Sequence, residues 1–219
     1  MYKVTVGICC YKQKQWLYRC LRSLASQTLA NADFEVIVVN DDPEEDLSDV
    51  CEYTHVDPSF NIRLINNKSN QGLPSSLNTI LRRAHGQYFV RVDADDYVSQ
   101  HYLYVLSLFL DMNRDYQAVT CDYRKVNEVG TPISTHLFVE EPIGCGVMYT
   151  YEALCNLKFY NEDFKMREGH DLFQRFAEKY RVCHLPFALY RYRMHENNRT
   201  GNAEELKKYD ERLKSVQGS

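Results

Sequence analysis

The sequence predicts an α/β protein with a mostly parallel sheet, helices on both faces of that sheet, and a small mixed β region in the C-terminal half. Patterns of buried strands alternate with helical patterns through the first hundred residues, and no hairpin signal separates them. This alternation is typical of parallel strands joined by helical crossovers. Acidic residues also follow two of the predicted strands, at the edge where open α/β sheets bind ligands.

The first two strand predictions rest on apolar runs. Residues 3–9 (KVTVGIC) form a β-branched run, and a loop containing Tyr11 separates it from a helical pattern over residues 13–27. The apolar stripe of that pattern predicts a helix packed on the sheet. Residues 34–39 (FEVIVV) predict a second buried strand, which is followed by Asp41. Two interpretations of this acid remain open: a ligand contact, or a charge before a helix N-terminus.

Two further strands complete the predicted parallel half. Residues 61–65 predict the third strand, and a polar loop then leads through Gly72 to a helix over 74–85 with proline in its first turn. Residues 88–92 predict the fourth strand, which is aromatic or β-branched apart from Arg91. Three carboxylates follow this strand directly.

These carboxylates, Asp93, Asp95 and Asp96, are the strongest chemical signal in the chain. Like charges this close repel, so the cluster requires bulk water or a cation. Mg²⁺ and Mn²⁺ bind carboxylate oxygens together with water and substrate phosphates. The cluster therefore predicts a metal and phosphate site. The alternative is a solvated acidic turn that also caps a helix starting near Ser99.

The second half has a different pattern. A helix to residue 112 and a strand over 118–123 are followed by short runs over 125–141, broken by glycine and proline, that predict a hairpin or mixed strands. Later segments predict a strand near 147, helices over 151–157 and 167–180, and extended chain over 182–194. A final helix, capped at Asn202 with Glu205 in a capping box, carries an apolar stripe that predicts docking on the parent domain or a partner.

Composition narrows the function classes. A net charge of −4 gives no electrostatic basis for binding nucleic acid. The eight cysteines show no CxxC pair, which favours reduced thiols in a cytosolic protein. No apolar run approaches the roughly 20 residues of a membrane span. We therefore expect a cytoplasmic location, and any membrane contact to be peripheral, at the inner face. The oligomeric state is left open.

A series of short motifs occurs in the same order as in one known enzyme family. They are Cys9-Cys10-Tyr11-Lys12, Leu21-Arg22-Ser23-Leu24-Ala25-Ser26-Gln27-Thr28, Val39-Asn40-Asp41-Asp42-Pro43, Asn70-Gln71-Gly72, Ala84-His85-Gly86-Gln87-Tyr88, Asp93-Ala94-Asp95-Asp96 and Tyr192-Arg193-Met194-His195. Each motif is weak alone. In this order over residues 4–200, the sequence resembles the family 2 glycosyltransferases, which are nucleotide-sugar enzymes with the GT-A fold.

The resemblance implies a single GT-A domain over residues 1–219. Residues 1–98 would form its nucleotide-binding half, residues 99–200 its acceptor-binding half and residues 201–219 a C-terminal helix. It also implies an inverting, metal-assisted transfer from a nucleotide sugar, with a UDP-sugar favoured. The acceptor would be a hydroxyl of a glycan or a lipid-linked glycan.

Residue roles follow from the same resemblance. Asp95 is the expected ligand of Mn²⁺ or Mg²⁺, with His195 completing the shell and Asp93 binding the ion or the ribose hydroxyls. Tyr11 is expected to stack on the base and Asp41 to accept a hydrogen bond from its imide. Another two residues, Asn70 and Gly72, belong to the loop facing the nucleotide. Asp96 would orient the turn.

The general base is less clearly marked. The family takes it from a Glu-Asp pair at the start of a late helix, and with Arg175 aligned to the helix arginine of the family, the expected Asp falls on Gly169. Asp171 is then the first choice for the base and Glu168 the second. Alternatively, both are charges stabilised at a helix N-terminus.

Two other function classes remain. The missing Asp at Gly169 favours a degenerate member that binds a sugar nucleotide or a glycan without turnover. Acids at parallel strand ends are also typical of magnesium-dependent phosphotransfer or phosphohydrolase domains, which would predict covalent phosphorylation of Asp41 or Asp93. A dehydrogenase is disfavoured because no GxGxxG motif follows the first strand.

Overall fold

The computed structural model describes residues 2–52, 59–196 and 207–213. The strands are Tyr2–Cys10 (β1), Phe34–Asn40 (β2), Ile62–Asn66 (β3), Gly86–Arg91 (β4), Tyr97–Val98 (β5), Ala118–Val126 (β6), Pro132–His136 (β7), Val147–Thr150 (β8) and Val182–Arg193 (β9). The helices are Lys14–Ala25 (α1), Ser48–Cys51 (α2), Leu73–Leu81 (α3), Tyr102–Met112 (α4), Tyr151–Asn156 (α5) and Glu168–Ala177 (α6), with a 3-10 turn at Asn31–Asp33. Residues 207–213 are also helical.

All the strands of the described residues join one sheet, in the order β3-β2-β1-β4-β8-β6-β9-β5, and β7 pairs with β6 beside this path. The first four pair in parallel, so their C-terminal ends lie at one edge. Antiparallel pairs join β8 to β4 and β6, β5 to β9 and β7 to β6, whereas β9 runs parallel to β6. The predicted parallel half and the mixed C-terminal region are both confirmed.

The sheet carries a hydrophobic core on each face. Successive residues of β2 alternate between the two, because side chains along a strand point to opposite faces. Val36 and Val38 pack in the cluster that includes the apolar face of α1. Ile37 and Val39 pack in the cluster that includes α3 and the face of α6 around Phe176. The prediction of helices on both faces is therefore confirmed.

The prediction that Ser99 caps a helix is wrong. Residues just before it form β5, which pairs with β9, and the backbone N–H of Ser99 donates to the carbonyl oxygen of Leu189 at 2.8 Å. Helix α4 begins only at Tyr102, and its N-cap residue, His101, makes no side-chain capping hydrogen bond. The pairing of β5 with a strand almost a hundred residues later has no signature in the local sequence.

The docking of the C-terminal segment is confirmed for the part that the structure describes. Tyr209 and Leu213 are buried against Phe164 and Met166. The predicted cap at Asn202 and Glu205 lies outside the described residues.

All eight cysteines are free thiols, as expected. Within the described ranges, no helix combines the length and the apolar character that crossing a bilayer requires.

A polar junction joins β1, β2 and β4 at their N-terminal ends. The buried carboxylate of Glu35 accepts hydrogen bonds from the Thr5 hydroxyl at 2.8 Å and from the His85 backbone N–H at 2.6 Å. The N–H of Gly86 donates to the same hydroxyl at 2.8 Å. A Cβ on Gly86 would touch the Thr5 backbone nitrogen and lie 2.6 Å from the carbonyl carbon of Val4. Only glycine fits this position, because backbone atoms cannot rotate away.

We expect Gly86→Ala to lower the free energy of unfolding by about 1–3 kcal/mol, because the added methyl group overpacks a backbone contact. Urea denaturation of the full chain measures the change. Gln87→Ala, at an exposed position on the same strand, serves as the control and should change the free energy by no more than about 0.5 kcal/mol. Equal stability of the two variants would contradict the assigned close approach.

Candidate active site

The acidic residues lie on either side of the end of β1. Cys10 of β1 pairs with Asn40 of β2, so Asp41 follows on that side. On the other side Gly7 pairs with Arg91 of β4, and its carbonyl oxygen accepts the N–H of Val92 at 3.0 Å. Asp93, Asp95 and Asp96 follow there. The structure thus places both acidic groups at one edge of the parallel sheet.

Asp95 is paired with His195, which follows β9. Oδ2 of Asp95 lies 2.9 Å from Nε2 of His195, and their side chains are 10% and 4% exposed. The amide of Gln13, at the start of α1, donates to the same carboxylate oxygen at 2.9 Å. Two residues separated by 100 positions therefore meet as the predicted ligand pair would.

The carboxylate of Asp96 is held by β9. Its carboxylate accepts the hydroxyl of Tyr190 at 2.8 Å and the backbone N–H of Arg193 at 2.7 Å. It is 2% exposed, and its own N–H donates to the carbonyl oxygen of Asp93 at 3.0 Å. These are the contacts of a residue that fixes the turn.

Asp93 is neutralised by Arg91. Nε and Nη2 of this guanidinium donate to the two oxygens of Asp93 at 2.6 and 3.0 Å. Nη1 donates to Oε1 of Glu168 at 2.7 Å. Arg91 and Glu168 are each 6% exposed. One buried cation thus links the acidic turn to α6, and among the described residues no group donates to Oε2 of Glu168.

Burial and mutual repulsion act on the remaining acids. Burial, followed by the charge of Asp93, raises the pKa of Asp95, and the contact with His195 opposes this shift. Burial and the charge of Asp95 raise the pKa of Asp96 well above its usual value. Ionising the whole cluster therefore requires additional positive charge nearby.

The donor set at Asp95 suits a divalent cation. One carboxylate oxygen and one imidazole nitrogen lie 2.9 Å apart, and both are ligand types that Mn²⁺ accepts. Oxygens of Asp93 and Asp96 and Sγ of Cys145 also lie within 4.8 Å of one another. Those two carboxylates are already bound to Arg91 and to β9, so the pair of Asp95 and His195 fits a metal better.

Asp41 organises the loop after β3. Its Oδ1 accepts the side-chain amide of Asn67 at 2.7 Å and the N–H of Gln71 at 2.8 Å, while Oδ2 accepts the N–H of Gly72 at 2.9 Å. Gly72 has φ +82°, in the region that glycine favours. Asp41 and Gly72 are thus brought together, although the carboxylate is only 3% exposed.

The other two predicted nucleotide contacts lie at the surface. Asn70 is exposed. Tyr11 is 44% exposed at the mouth of β1, where the ammonium of Lys12 lies 5.3 Å from its ring centre.

Asp171 lies in a different environment from Glu168. Nε of Arg175, one turn later on α6, donates to its Oδ2 at 2.9 Å. The same guanidinium donates to the carbonyl oxygens of Leu157 and Phe159 at 3.1 and 2.9 Å. This ion pair fastens α6 to the turn after α5. The contacts found for Asp171 therefore lie apart from the acidic turn of β4.

Gly169 lies against the loop that precedes β8. A Cβ at this position would be 2.6 Å from Cα of Gly144. No side chain fits there unless that loop moves. The position at which the resemblance expects an aspartate is thus occupied by a close backbone contact.

Sequence reasoning missed the partners of the acids. Arg91, Gln13 and Tyr190 all bind the acidic turn. Of these, only Arg91 carried a signal, as the one charged residue in an apolar strand. Gln13 and Tyr190 have no distinguishing pattern in the sequence.

Comparisons with known proteins agree with this architecture. The family model described as glycosyl transferase family 2 matches residues 5–198. A protein of Haemophilus influenzae described as an uncharacterized glycosyltransferase is 26% identical over 217 residues, which cover 89% of this chain and 66% of that protein. This chain thus spans slightly less than two thirds of that relative.

Two solved structures share the fold. One is TarS residues 1–349 of Staphylococcus aureus with UDP-GlcNAc, which has a TM-score of 0.74 and 23% identity over 92% of this chain and 61% of that one. The other is the mannosyltransferase PcManGT of Pyrobaculum calidifontis with GDP-Man and Mn²⁺, which has a TM-score of 0.73 and 18% identity over 90% of this chain and 59% of that one.

The family match extends from β1 to beyond the end of β9, so it includes every residue of the acidic turn and its partners. The fold, the order of the motifs and this match lead to one conclusion. The chain belongs to glycosyl transferase family 2.

Proposed function

We propose that this chain transfers a sugar from a nucleoside diphosphate, with inversion, to a hydroxyl of a glycan or lipid-linked glycan. The contact of Asp95 with His195 carries this proposal. It offers a cation two ligands at the sheet edge. Arg91 connects the neighbouring Asp93 to a further acid, Glu168, whose Oε2 has no donor among the described residues. The family assignment and the nucleotide-sugar complexes of related folds support the same reaction class.

Asp95 and His195 are the residues that would hold Mn²⁺ or Mg²⁺. The bound ion would neutralise charge on the departing nucleoside diphosphate. Gln13 keeps the carboxylate of Asp95 oriented through its hydrogen bond to Oδ2. The salt bridge to Arg91 fixes the carboxylate of Asp93. This carboxylate is therefore better placed to accept hydrogen bonds from the ribose hydroxyls than to bind the ion directly.

Glu168 is the better candidate for the general base. The base removes the proton of the acceptor hydroxyl while the oxygen attacks the anomeric carbon. Arg91 holds Oε1 of Glu168 and leaves Oε2 to receive that proton. The sequence favoured Asp171 slightly, but the contacts of that residue favour a role in holding α6 in place.

The proposed donor is a UDP-sugar. Asp41 places a carboxylate beside the loop of Gly72, and its Oδ2 accepts one described N–H, which leaves capacity for the imide of uracil. The exposed ring of Tyr11 offers a stacking surface. TarS was crystallised with UDP-GlcNAc and PcManGT with GDP-Man, so UDP and GDP are the two nucleotides to compare. A larger thermal shift with GDP and Mn²⁺ than with UDP and Mn²⁺ would overturn the choice of uracil as the nucleobase.

The remaining assignments concern the division of the domain. We assign nucleotide binding to residues 1–98, because Asp41 and the acidic turn both lie there. Residues 99–200 would contact the acceptor, and Glu168 lies among them. A lipid-linked acceptor would bring the protein to the inner face of a membrane as a peripheral protein.

A second candidate function is donor binding without turnover. The close contact of Gly169 with Gly144 favours it, because it removes the aspartate expected there. Donor-dependent stabilisation of the wild-type chain without any transfer would support this candidate over the transferase.

We expect Asp95→Asn to reduce transfer by at least 100-fold, because the substitution removes the anionic ligand of a cation that stabilises the leaving group. The measurement is release of nucleoside diphosphate in Mn²⁺. Asp115→Asn provides a matched control, since that carboxylate is 84% exposed and lies 3.7 Å from its surface partner Arg181. Wild-type rates in both variants would remove Asp95 from the mechanism.

Glu168→Gln and Asp171→Asn separate the two candidate bases. We expect Glu168→Gln to lose transfer by about 100-fold or more, as loss of a general base does, and to retain donor binding by thermal shift. Asp171→Asn should instead lower the melting temperature, because it leaves a partly buried guanidinium without its carboxylate, and should retain transfer per folded molecule. The reverse pattern would assign the base to Asp171.

A further inference from the structure

Trp16, in the first turn of α1, touches two residues of the candidate site without being one of its polar groups. Its ring stacks on the imidazole of His195, with ring centres 5.8 Å apart and planes inclined by 28°. The guanidinium carbon of Arg193 lies 4.4 Å from the centre of the same indole. The side chain is partly buried. One aromatic ring of α1 therefore packs against the end of β9 and the residue two positions beyond it.

Both residues that Trp16 contacts bind Asp95. Nε2 of His195 lies 2.9 Å from Oδ2 of Asp95. Nε of Arg193 donates to the backbone carbonyl oxygen of Asp95 at 2.6 Å. Arg193 also donates to the carbonyl oxygen of Glu128 and is 1% exposed. The indole thus packs against two of the groups that bind Asp95.

His195 is held differently from Asp95. Strand β9 ends at Arg193, so His195 lies beyond the regular sheet pairing, and its ring contacts the carboxylate of Asp95 and the indole of Trp16. Asp95, in contrast, lies in a turn in which the N–H of Asp96 donates to Asp93 and the carboxylate of Asp96 accepts the N–H of Arg193. A flat, rigid indole restricts an imidazole stacked on it, and it also attracts a neighbouring guanidinium.

We infer that Trp16 is a positioning residue for the cation site, holding His195 and Arg193 against Asp95. The inference rests on the proposed function, in which Asp95 and His195 hold the ion. Gln13, from the same turn of α1, already donates to Asp95. The start of α1 would therefore supply both a polar and an aromatic support, so that affinity for the ion depends on a helix that provides none of its ligands.

The chain contains one tryptophan, so its emission reports from this position alone. Mn²⁺ is paramagnetic, and its binding beside His195 is expected to quench the emission of the full wild-type chain in a saturable way. Excess Mg²⁺ should reverse the quenching if it competes for the same ligands. This readout is independent of catalytic activity.

The test compares Mn²⁺ affinities, measured from the electron paramagnetic resonance signal of free Mn²⁺, so that variants without tryptophan are included. We expect Trp16→Leu to weaken Mn²⁺ binding roughly 3- to 10-fold, which is the loss of one aromatic stacking contact. Trp16→Phe should retain most of the affinity because a ring remains. Tyr104→Leu, which removes a 44% exposed aromatic ring from α4, should leave the affinity unchanged. Each variant is compared at temperatures below its melting transition.

Several outcomes overturn the inference. If Trp16→Leu binds Mn²⁺ as tightly as wild type while Asp95→Asn does not bind it, the positioning role fails and the proposed function stands. If Trp16→Phe is as weak as Trp16→Leu, stacking is not the cause. If the wild-type chain binds no Mn²⁺ and shows no quenching, both the inference and the proposed metal role fail.

Discussion

The neutralisation of three aspartates at the end of β4 is the constraint on which the rest of the site depends. Each carboxylate has a different kind of partner. Asp93 forms a salt bridge with the guanidinium of Arg91, and Asp95 pairs with the imidazole of His195. Asp96 accepts hydrogen bonds from a hydroxyl and a backbone N–H of β9. Buried charges are tolerated only when paired or hydrogen-bonded. Of these three pairings, that of Asp95 uses a side chain of a type that commonly binds metals, which distinguishes it from the two neighbouring acids.

The mixed half of the sheet follows from this requirement. Parallel strands alone present acids at one edge but supply few donors to meet them. Strand β9 runs parallel to β6, pairs with β5 and ends beside the acidic turn, so its last residues reach the carboxylates. The pairing of β5 with β9 fixes Tyr97 opposite Arg191, immediately after the turn. The late strand is therefore a structural part of a site whose acids are encoded a hundred residues earlier.

The sequence predicts the local features of this arrangement and misses the distant ones. Periodicity marks β1, β2 and β4 and the helices beside them, because burial of a strand or a helix face repeats at a fixed spacing. The ordered motifs also pick out Asp95 and His195. The bond from Arg91 to Glu168 spans 77 positions, and the bond from Tyr190 to Asp96 spans 94. Composition and spacing do not predict pairs this far apart in sequence. The prediction of a helix cap at Ser99 was wrong for the same reason, because β5 pairs with the distant strand β9.

The contact of Gly169 with Gly144 shapes the surroundings of Glu168 and of its partner Arg91. With no side chain between them, the loop before β8 approaches α6 closely, and Gly144 lies near the guanidinium of Arg91. Arg91 is then enclosed between the loop, Asp93 and Glu168. An aspartate at 169 would push the loop away and place a further anion beside this cluster, next to a guanidinium already shared by two acids. Glycine at 169 and the pairing of Glu168 with Arg91 therefore belong to one packing arrangement, in which Glu168 is the acid of α6 that shares the guanidinium of Arg91 with Asp93.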